Sequence, residues 1–162
     1  MKKKHKRSNK YKCIVQKCII ALCTMHLCLL FSCRPTTLYY HYEPVSPEGW
    51  SVTDTLRYEL PQAASDRLYT LSIGVRFNQK LRYQDLFLVV EQRQPIPSRD
   101  TIQMHLANER GRWQARGVTL HELETVVAAT RLDTTQQNTF LIYHIMLPQE
   151  ITGITEVGLR VE

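Results

Sequence analysis

Cysteine is the residue type with the clearest chemical potential in this sequence, and its spacing is regular. Five cysteines occur at intervals of five residues, at Cys13, Cys18, Cys23, Cys28 and Cys33. Thiolates could hold a metal ion, but a step of five residues turns an α-helix by about 500°, which scatters the side chains around it. The spacing also matches no familiar zinc motif. The sequence therefore predicts no metal site here, and no disulfide in residues 34–162, which contain no cysteine.

Cys33 differs from the other four cysteines because it ends an apolar segment. Residues 1–17 carry eight lysines and arginines and no acidic residue, and residues 18–32 are uncharged and mostly apolar. This apolar length suits the h-region of a signal peptide and is shorter than the roughly 18 to 20 residues of a membrane-spanning helix. The pattern predicts an export signal that is removed.

The residues just before Cys33 resemble a bacterial lipobox, with Leu30 at the third position before the cysteine and the small Ser32 next to it. The resemblance implies that residues 1–32 are a lipoprotein signal peptide and that Cys33 receives lipid on its thiol. Cys33 would then be the mature N-terminus, attached to a membrane. The alternative is an uncleaved signal anchor, in which Cys33 is one more small apolar residue.

The excess of positive over negative charge in this chain comes from residues 1–17. The whole sequence has 21 basic and 15 acidic residues, a formal net charge of +6. Without the eight basic residues of the first 17, the remaining 13 are fewer than the 15 acidic residues. The basic balance thus belongs to the signal segment, and the sequence predicts no nucleic-acid partner.

Residues 34–162 contain no recognisable catalytic or metal-binding pattern. His121-Glu122 begins like a zinc-protease helix, but Thr125 stands where the second histidine would be. His144 lies in a predicted strand and is interpreted as a core or edge residue. Glycine-rich phosphate loops, calcium loops and nucleophile elbows are absent from the sequence. We therefore predict a protein that is not an enzyme and that uses no metal or cofactor.

Aromatic residues are the remaining candidates for binding. If they were exposed, five of them could form a stacking platform for a sugar: Tyr39, Tyr40, Tyr42, Trp50 and Trp113. Aromatic side chains in a small β-domain also pack in the core or between sheets. A glycan-binding lipoprotein is thus the alternative function, with Tyr39, Tyr42, Trp50 and Trp113 as possible interaction residues.

Alternation of apolar and polar residues predicts strands through most of the remaining chain. Residues 51–60 form one predicted strand, whose inward side chains are Val52, Leu56, Tyr58 and Leu60. Residues 68–78 form the clearest strand, with one face made of Tyr69, Leu71, Ile73, Val75 and Phe77. Residues 85–94 are apolar on both faces in their middle, which indicates a central strand. Within residues 101–107 the predicted inward side chains are Ile102, Met104 and Leu106.

The C-terminal half continues the pattern. Residues 108–115 predict a hairpin with Gly111 in a left-handed conformation and Trp113 packed across it. Residues 118–132 fit either two helical turns or strands, and we favour strands. Residues 140–147 and 157–162 predict the last two strands, with Phe140, Ile142 and His144 on one face of the first.

These elements together predict an all-β fold. We expect an antiparallel β-sandwich of about seven to eight strands in residues 50–162. Residues 33–49 are a lipidated cysteine and leader, and this leader is either a linker or a first edge strand with Tyr39 and Tyr42 on one side.

The C-terminal sequence resembles the ending of the GldH family of gliding-motility lipoproteins from Bacteroidota. The similarity lies in Ile145-Met146-Leu147 and in the stretch Ile151-Thr152-Gly153-Ile154-Thr155-Glu156-Val157-Gly158-Leu159-Arg160-Val161-Glu162. Further similarity lies in the lipobox cysteine, Trp50, the strand that ends at Arg76 and Gly111-Arg112-Trp113. Leu147 replaces a usual arginine, and Ile151 a usual leucine.

The resemblance implies an envelope lipoprotein, accessory to gliding motility or to envelope machinery linked to type IX secretion, with protein partners and no catalytic activity. Family members also occur in Bacteroidota that do not glide, so the role could be envelope assembly. Residues 34–37 lack the acidic run that resembles a surface-export tag in this phylum. We therefore expect the periplasmic face of a membrane, more specifically the outer membrane.

Overall fold

The structure is a computed structural model that describes residues 16–17 and 37–162. Residues 37–162 lie in one compact unit. Between residues 37 and 162 there are ten β-strands and no helix. The strands are β1 (Tyr39–Pro44), β2 (Trp50–Ser51), β3 (Leu56–Leu60), β4 (Leu68–Asn78), β5 (Asp85–Gln92), β6 (Ser98–His105), β7 (Leu120–Arg131), β8 (Asn138–His144), β9 (Glu150–Ile151) and β10 (Ile154–Val161).

The strands form two four-stranded antiparallel sheets around one core. Sheet I has the order β1-β10-β4-β7, and sheet II has the order β3-β8-β5-β6, while β2 and β9 pair separately. Buried side chains from both four-stranded sheets join in one apolar cluster. The predicted antiparallel β-sandwich is confirmed: eight strands have five or more residues, and β2 and β9 have two each.

β4 illustrates why these residues form strands. Its bounds are those predicted, and its five inward side chains are all buried: Tyr69, Leu71, Ile73, Val75 and Phe77. Fully burying one large apolar side chain contributes about 1.5–3 kcal/mol, so a shift of one residue in register would expose the entire set. The alternation therefore fixes both the strand and its register.

β5 is central in sheet II, as predicted, because it pairs with both β6 and β8. Its inward residues Leu86, Leu88 and Val90 are buried, and so is Val89 on the opposite face. The outward Phe87 is 36% exposed, so the outer face is only partly covered.

The predicted strand over residues 51–60 is wrong, because the chain turns in its middle. Ser51 ends β2, and β3 begins at Leu56. The Asp54 amide donates to the Ser51 carbonyl at 3.0 Å, which closes a turn. Val52 was expected to point inward but is 37% exposed, whereas Tyr58 and Leu60 are buried as predicted. The turn moves the chain from the small β2-β9 sheet into sheet II.

The leader forms the edge strand β1, which pairs with β10. Tyr39 and Tyr42 were expected on one side of it, and this is wrong. Side chains alternate along a strand, so residues three apart lie on opposite faces. Tyr39 packs against the core, whereas Tyr42 shares the outer face with Tyr40, at 5.7 Å between ring centroids.

The ambiguous segment 118–132 is a strand, β7, as favoured. It pairs with β4 along its whole length, with a register shift at Val127, where Leu71 faces Ala128 but Ser72 faces Val126. The predicted hairpin at Gly111 is also present: Gly111 has φ of 72°, and Ala107 pairs with Trp113.

The last two predicted strands are present with shifted ends. β8 ends at His144, so Ile145 and Leu147 lie beyond it and are exposed. β10 begins at Ile154, earlier than the predicted residue 157. Among the residues the structure describes, no helix has the length and apolar character needed to cross a bilayer.

Candidate functional site

The outer face of sheet I carries an ordered grid of aromatic, glycine and charged residues. Its central row crosses all four strands, because Tyr42 on β1 faces Gly158 on β10, which faces Gly74 on β4, which faces Glu124 on β7. The Tyr42 ring lies across both glycines, and a methyl group at Gly158 would be only 2.6 Å from Tyr42 Cζ. The two glycines thus form a trough that a larger residue would fill.

Tyr42 is held in this trough by packing and charge. The Arg76 guanidinium lies 4.0 Å from the ring centroid, which is a cation–π contact. The Tyr42 hydroxyl is buried and has no hydrogen-bond partner in the described part of the chain. Burial, together with the nearby Glu122 carboxylate, raises the pKa of Tyr42 above its usual value, so the phenol is neutral at physiological pH.

Arg76 is the centre of the next row. Its Nη1 donates to Glu156 Oε2 at 2.6 Å, and its Nε donates to Glu122 Oε2 at 2.8 Å. Glu156 and Glu122 face Arg76 on the two neighbouring strands. These hydrogen bonds raise the pKa of Arg76 above its usual value. One arginine therefore ties three strands together on the outer face.

Arg160 forms a second charged group on the other side of Tyr42. Its Nη2 lies 2.7 Å from Glu162 Oε1 and its Nη1 lies 3.1 Å from Glu124 Oε1. The hydrogen bond from Arg160 lowers the pKa of the Glu162 carboxyl below its usual value. A shallow cavity of about 460 Å³ lies beside Arg160, with Ser72, Arg116, Glu122 and Glu124 also in its lining.

A cleft of about 350 Å³ lies between β7 of sheet I and β5 and β6 of sheet II. Apolar residues form most of its lining, including Leu71, Val90, Ile102 and Phe140. Gln92 crosses it at one end: its side-chain amide donates to the Arg131 carbonyl at 2.7 Å and accepts from the Thr130 hydroxyl. Gln92 thereby links the two sheets on this side.

Trp50, one of the possible interaction residues, is a core residue, because its side chain is 0% exposed. Its indole Nε1 donates to the Asp54 carbonyl at 3.0 Å, and its ring contacts His144 at 5.1 Å between centroids. His144 in turn donates from Nε2 to the Trp50 carbonyl at 3.0 Å and accepts the Met146 amide at Nδ1. His144 is thus a satisfied core residue, as predicted, and burial lowers its pKa.

Trp113 and His121 belong to a second aromatic cluster. Trp113 pairs across its hairpin with Ala107, and its ring packs against sheet I, 5.0 Å from Phe77 and 5.8 Å from His121. His121 is buried, whereas its neighbour Glu122 points outward to Arg76. The pair that began like a zinc motif therefore occupies opposite faces of β7.

The predicted stacking residues are not brought together. Trp50 is in the core, Trp113 lies against Phe77 and His121, and Tyr39 and Tyr42 lie on opposite faces of β1. Within residues 16–17 and 37–162, no three histidine, cysteine, aspartate or glutamate residues are placed to hold a metal ion. The predicted lipidation site, Cys33, and the signal peptide lie outside the described residues.

Sequence reasoning missed the outer-face grid. Gly74, Gly158, Arg76 and Arg160 alternate with apolar residues in β4 and β10, and this alternation was used only to predict strands. A glycine on the outer face of two central strands is the available signal, because strand interiors disfavour glycine unless something approaches closely. Here the approaching group is the Tyr42 ring.

Comparison with known proteins agrees with the expected resemblance. The sequence model of the GldH lipoprotein family matches residues 37–161. Among similar curated proteins are a gliding motility lipoprotein GldH homolog of Christiangramia forsetii, 28% identical over 81% of this chain and 86% of that protein, and gliding motility lipoprotein GldH of Flavobacterium johnsoniae, 25% identical over 82% of this chain and 89% of that protein. No solved structure matches significantly.

The family match spans β1 to β10, and therefore includes both glycines of the trough and both arginines of the outer face. It also assigns a membrane-anchored, envelope context to the protein. The predicted family is confirmed: this chain belongs to the GldH lipoprotein family.

Proposed function

We propose that this protein is a non-catalytic lipoprotein, anchored through lipid on Cys33, that serves as an accessory component of gliding-motility or type IX secretion-linked envelope machinery. The observation that carries the proposal is the family match across residues 37–161, the whole of the described β-sandwich. Curated relatives of similar length bear the name gliding motility lipoprotein. The proposed location of the protein is the periplasmic face of a membrane, specifically the outer membrane.

Anchoring follows from the sequence before the β-domain. The basic head, the apolar segment and Leu30-Phe31-Ser32-Cys33 are the features that support cleavage before Cys33 and lipid on its thiol. The intact mass of the protein extracted from membranes tests this directly. We expect a chain that begins at Cys33 and is heavier by a diacylglycerol and an acyl chain, and we expect this species to be absent from Cys33→Ala. A full-length mass with the lysine-rich head would contradict cleavage.

The role in the envelope is tested in the host cell. Deletion of the gene should impair surface translocation, or secretion and envelope integrity in a host that does not glide. The native gene should restore the lost function, whereas Cys33→Ala should not restore it despite normal expression. Equal rescue by both versions would show that the anchor is dispensable. Protease treatment of intact cells should leave the domain undigested, because the proposed location is periplasmic.

Partner binding is assigned to the outer face of sheet I. This face presents Tyr40, which is 51% exposed, beside the Arg160 and Arg76 ion-pair groups. Partly exposed aromatic and arginine side chains are enriched at protein interfaces. A photo-crosslinking residue at position 40 should capture a specific envelope protein. The same residue at position 57, in the edge strand β3 of sheet II, is the matched control, and equal capture from both positions would contradict the assignment.

A further inference from the structure

The end of the sandwich where the chain enters the β-domain has two exposed apolar side chains. Leu68 is 58% exposed at the start of β4, and Ile96 is 67% exposed in the loop between β5 and β6. Both line the 350 Å³ cleft, so they stand at the rim of one apolar opening. The two residues therefore belong to one surface, which we call the entry surface.

The register of sheet I places the entry surface beside the first described residues. Tyr39 faces Val161, Val161 faces Leu71, and Leu71 faces Ala128, so β1 and β4 are separated by β10 alone. β1 and β4 run in the same direction because both are antiparallel to β10. Thr37 and Leu68 thus both precede this row, about 10 Å apart across two strand spacings.

The chain length between Cys33 and this end is short. Three residues lie between Cys33 and Thr37, and the four residue steps span at most about 14 Å in any conformation. If Cys33 carries lipid, as in the proposed function on which this inference rests, the membrane surface lies within reach of the entry surface. The opposite end of the sandwich, where Val118 lies before β7, is farther away by the length of the strands.

Charged residues are distributed unevenly between the entry end and the rest of the domain. The three loops at the entry end, residues 61–68, 93–99 and 131–138, contain four arginines and two aspartates. The rest of residues 37–162 contains eight basic and thirteen acidic residues. Three of these arginines are ion-paired, Arg131 with Asp66 and both Arg93 and Arg99 with Glu91. The small positive excess that remains is compatible with contact to anionic lipid headgroups. Exposed aliphatic side chains next to such a surface can then enter the interface.

We propose that the entry surface is a second membrane contact, in which Leu68 and Ile96 insert into the lipid headgroup region and hold the sandwich upright on the bilayer. The outer face of sheet I and the opposite end then remain accessible to partners. The occupant of the apolar opening is the lipid surface itself. A soluble envelope protein that covers the same residues is the competing outcome of the test.

Single cysteines provide the test, because residues 34–162 contain no thiol and the proposed lipid occupies the Cys33 thiol. Ile96→Cys and Leu68→Cys report on the entry surface. Val118→Cys, at a site that is 83% exposed at the opposite end, is the matched control. Each lipidated protein is labelled with an environment-sensitive fluorophore and reconstituted into vesicles of phosphatidylethanolamine and phosphatidylglycerol, with and without brominated acyl chains.

We expect labels at positions 96 and 68 to shift to shorter emission wavelength and to be quenched by the brominated lipid, while the label at position 118 stays aqueous. Equal quenching at all three positions, or quenching at 118 alone, would overturn the inference. So would entry-surface labels that stay aqueous with vesicles alone but shift when a soluble envelope extract is added. A lipidated protein that floats with vesicles while position 96 stays aqueous refutes only this contact. If the native protein extracted from membranes carries no lipid on Cys33 and does not float with vesicles, the anchoring proposal is refuted, and the inference with it.

Discussion

The phenol ring of Tyr42 lies across Gly158, the residue that faces it on the neighbouring strand, and extends over Gly74 on the strand beyond. An edge strand is thereby tied to the centre of its sheet by one side chain. Because β1 is the strand that follows the proposed anchor, this contact joins the proposed membrane attachment to the central strands of sheet I.

Gly158→Ala should destabilise the protein, because its methyl group would lie 2.6 Å from Tyr42 Cζ and the ring must move. Overpacking of this kind costs about 1–3 kcal/mol. Urea denaturation measures the loss. Residues in direct contact are not additive, so Gly158→Ala should cost much less in a Tyr42→Ala background. Equal costs in both backgrounds would show that Tyr42 is not what restricts this position.

Tyr42→Phe and Tyr58→Phe should have different effects on stability, although both remove one buried hydroxyl. The Tyr58 hydroxyl donates to the Val157 carbonyl at 2.7 Å and connects the two sheets. Its loss removes a buried hydrogen bond between the sheets and should cost about 0.5–1.5 kcal/mol. The Tyr42 hydroxyl has no partner among the described residues, so its removal should leave the free energy of unfolding unchanged or raise it. A large loss in Tyr42→Phe would indicate that the hydroxyl has a partner.

Arg76→Gln should be more costly than Arg57→Gln. The Arg76 side chain is 30% exposed and binds two glutamates, whereas Arg57 is 61% exposed and binds Glu59 alone. Removal of Arg76 leaves two carboxylates facing a neutral side chain, and we expect a loss of about 1–2 kcal/mol. An exposed pair contributes at most about 1 kcal/mol. Thermal unfolding of the two variants at one salt concentration gives the comparison, and equal losses would contradict it.

The stability of the protein should fall as pH is lowered through the usual histidine range, because His144 is buried and its pKa is lowered. The unfolded chain binds a proton near pH 6.5, while the folded chain resists protonation. The unfolded state therefore holds more protons at mildly acidic pH, and stability is lost as pH falls below about 6.5.

Denaturation at a series of pH values from 8 to 5 tests this. His144→Gln should be less stable at neutral pH, since the contact with the Trp50 carbonyl is altered, and should show a smaller slope with pH. A variant whose slope equals that of the native protein would assign the acid sensitivity to other groups.

Much of the fold was predictable because burial on one face of a strand leaves a period of two in the sequence. β4 has the predicted bounds, and its inward residues were all identified. The break at residues 52–55 was not predictable from this period, because Val52 continues the alternation while the backbone turns. Alternation records which residues suit a strand, not where hydrogen bonding to a partner strand stops.

The sequence alone determined the family, the all-β class and the predicted anchoring segment, because apolar periodicity, charge distribution and short motifs are local properties of the chain. Only the tertiary structure decided which aromatic residues are buried and which charges are paired. Of the proposed interaction residues, only Trp50 is completely buried. The Tyr42 ring contacts Gly74, more than thirty residues away in sequence, and Gly158, more than one hundred residues away. Such contacts depend on strand order and register, which bring together residues that no local pattern connects.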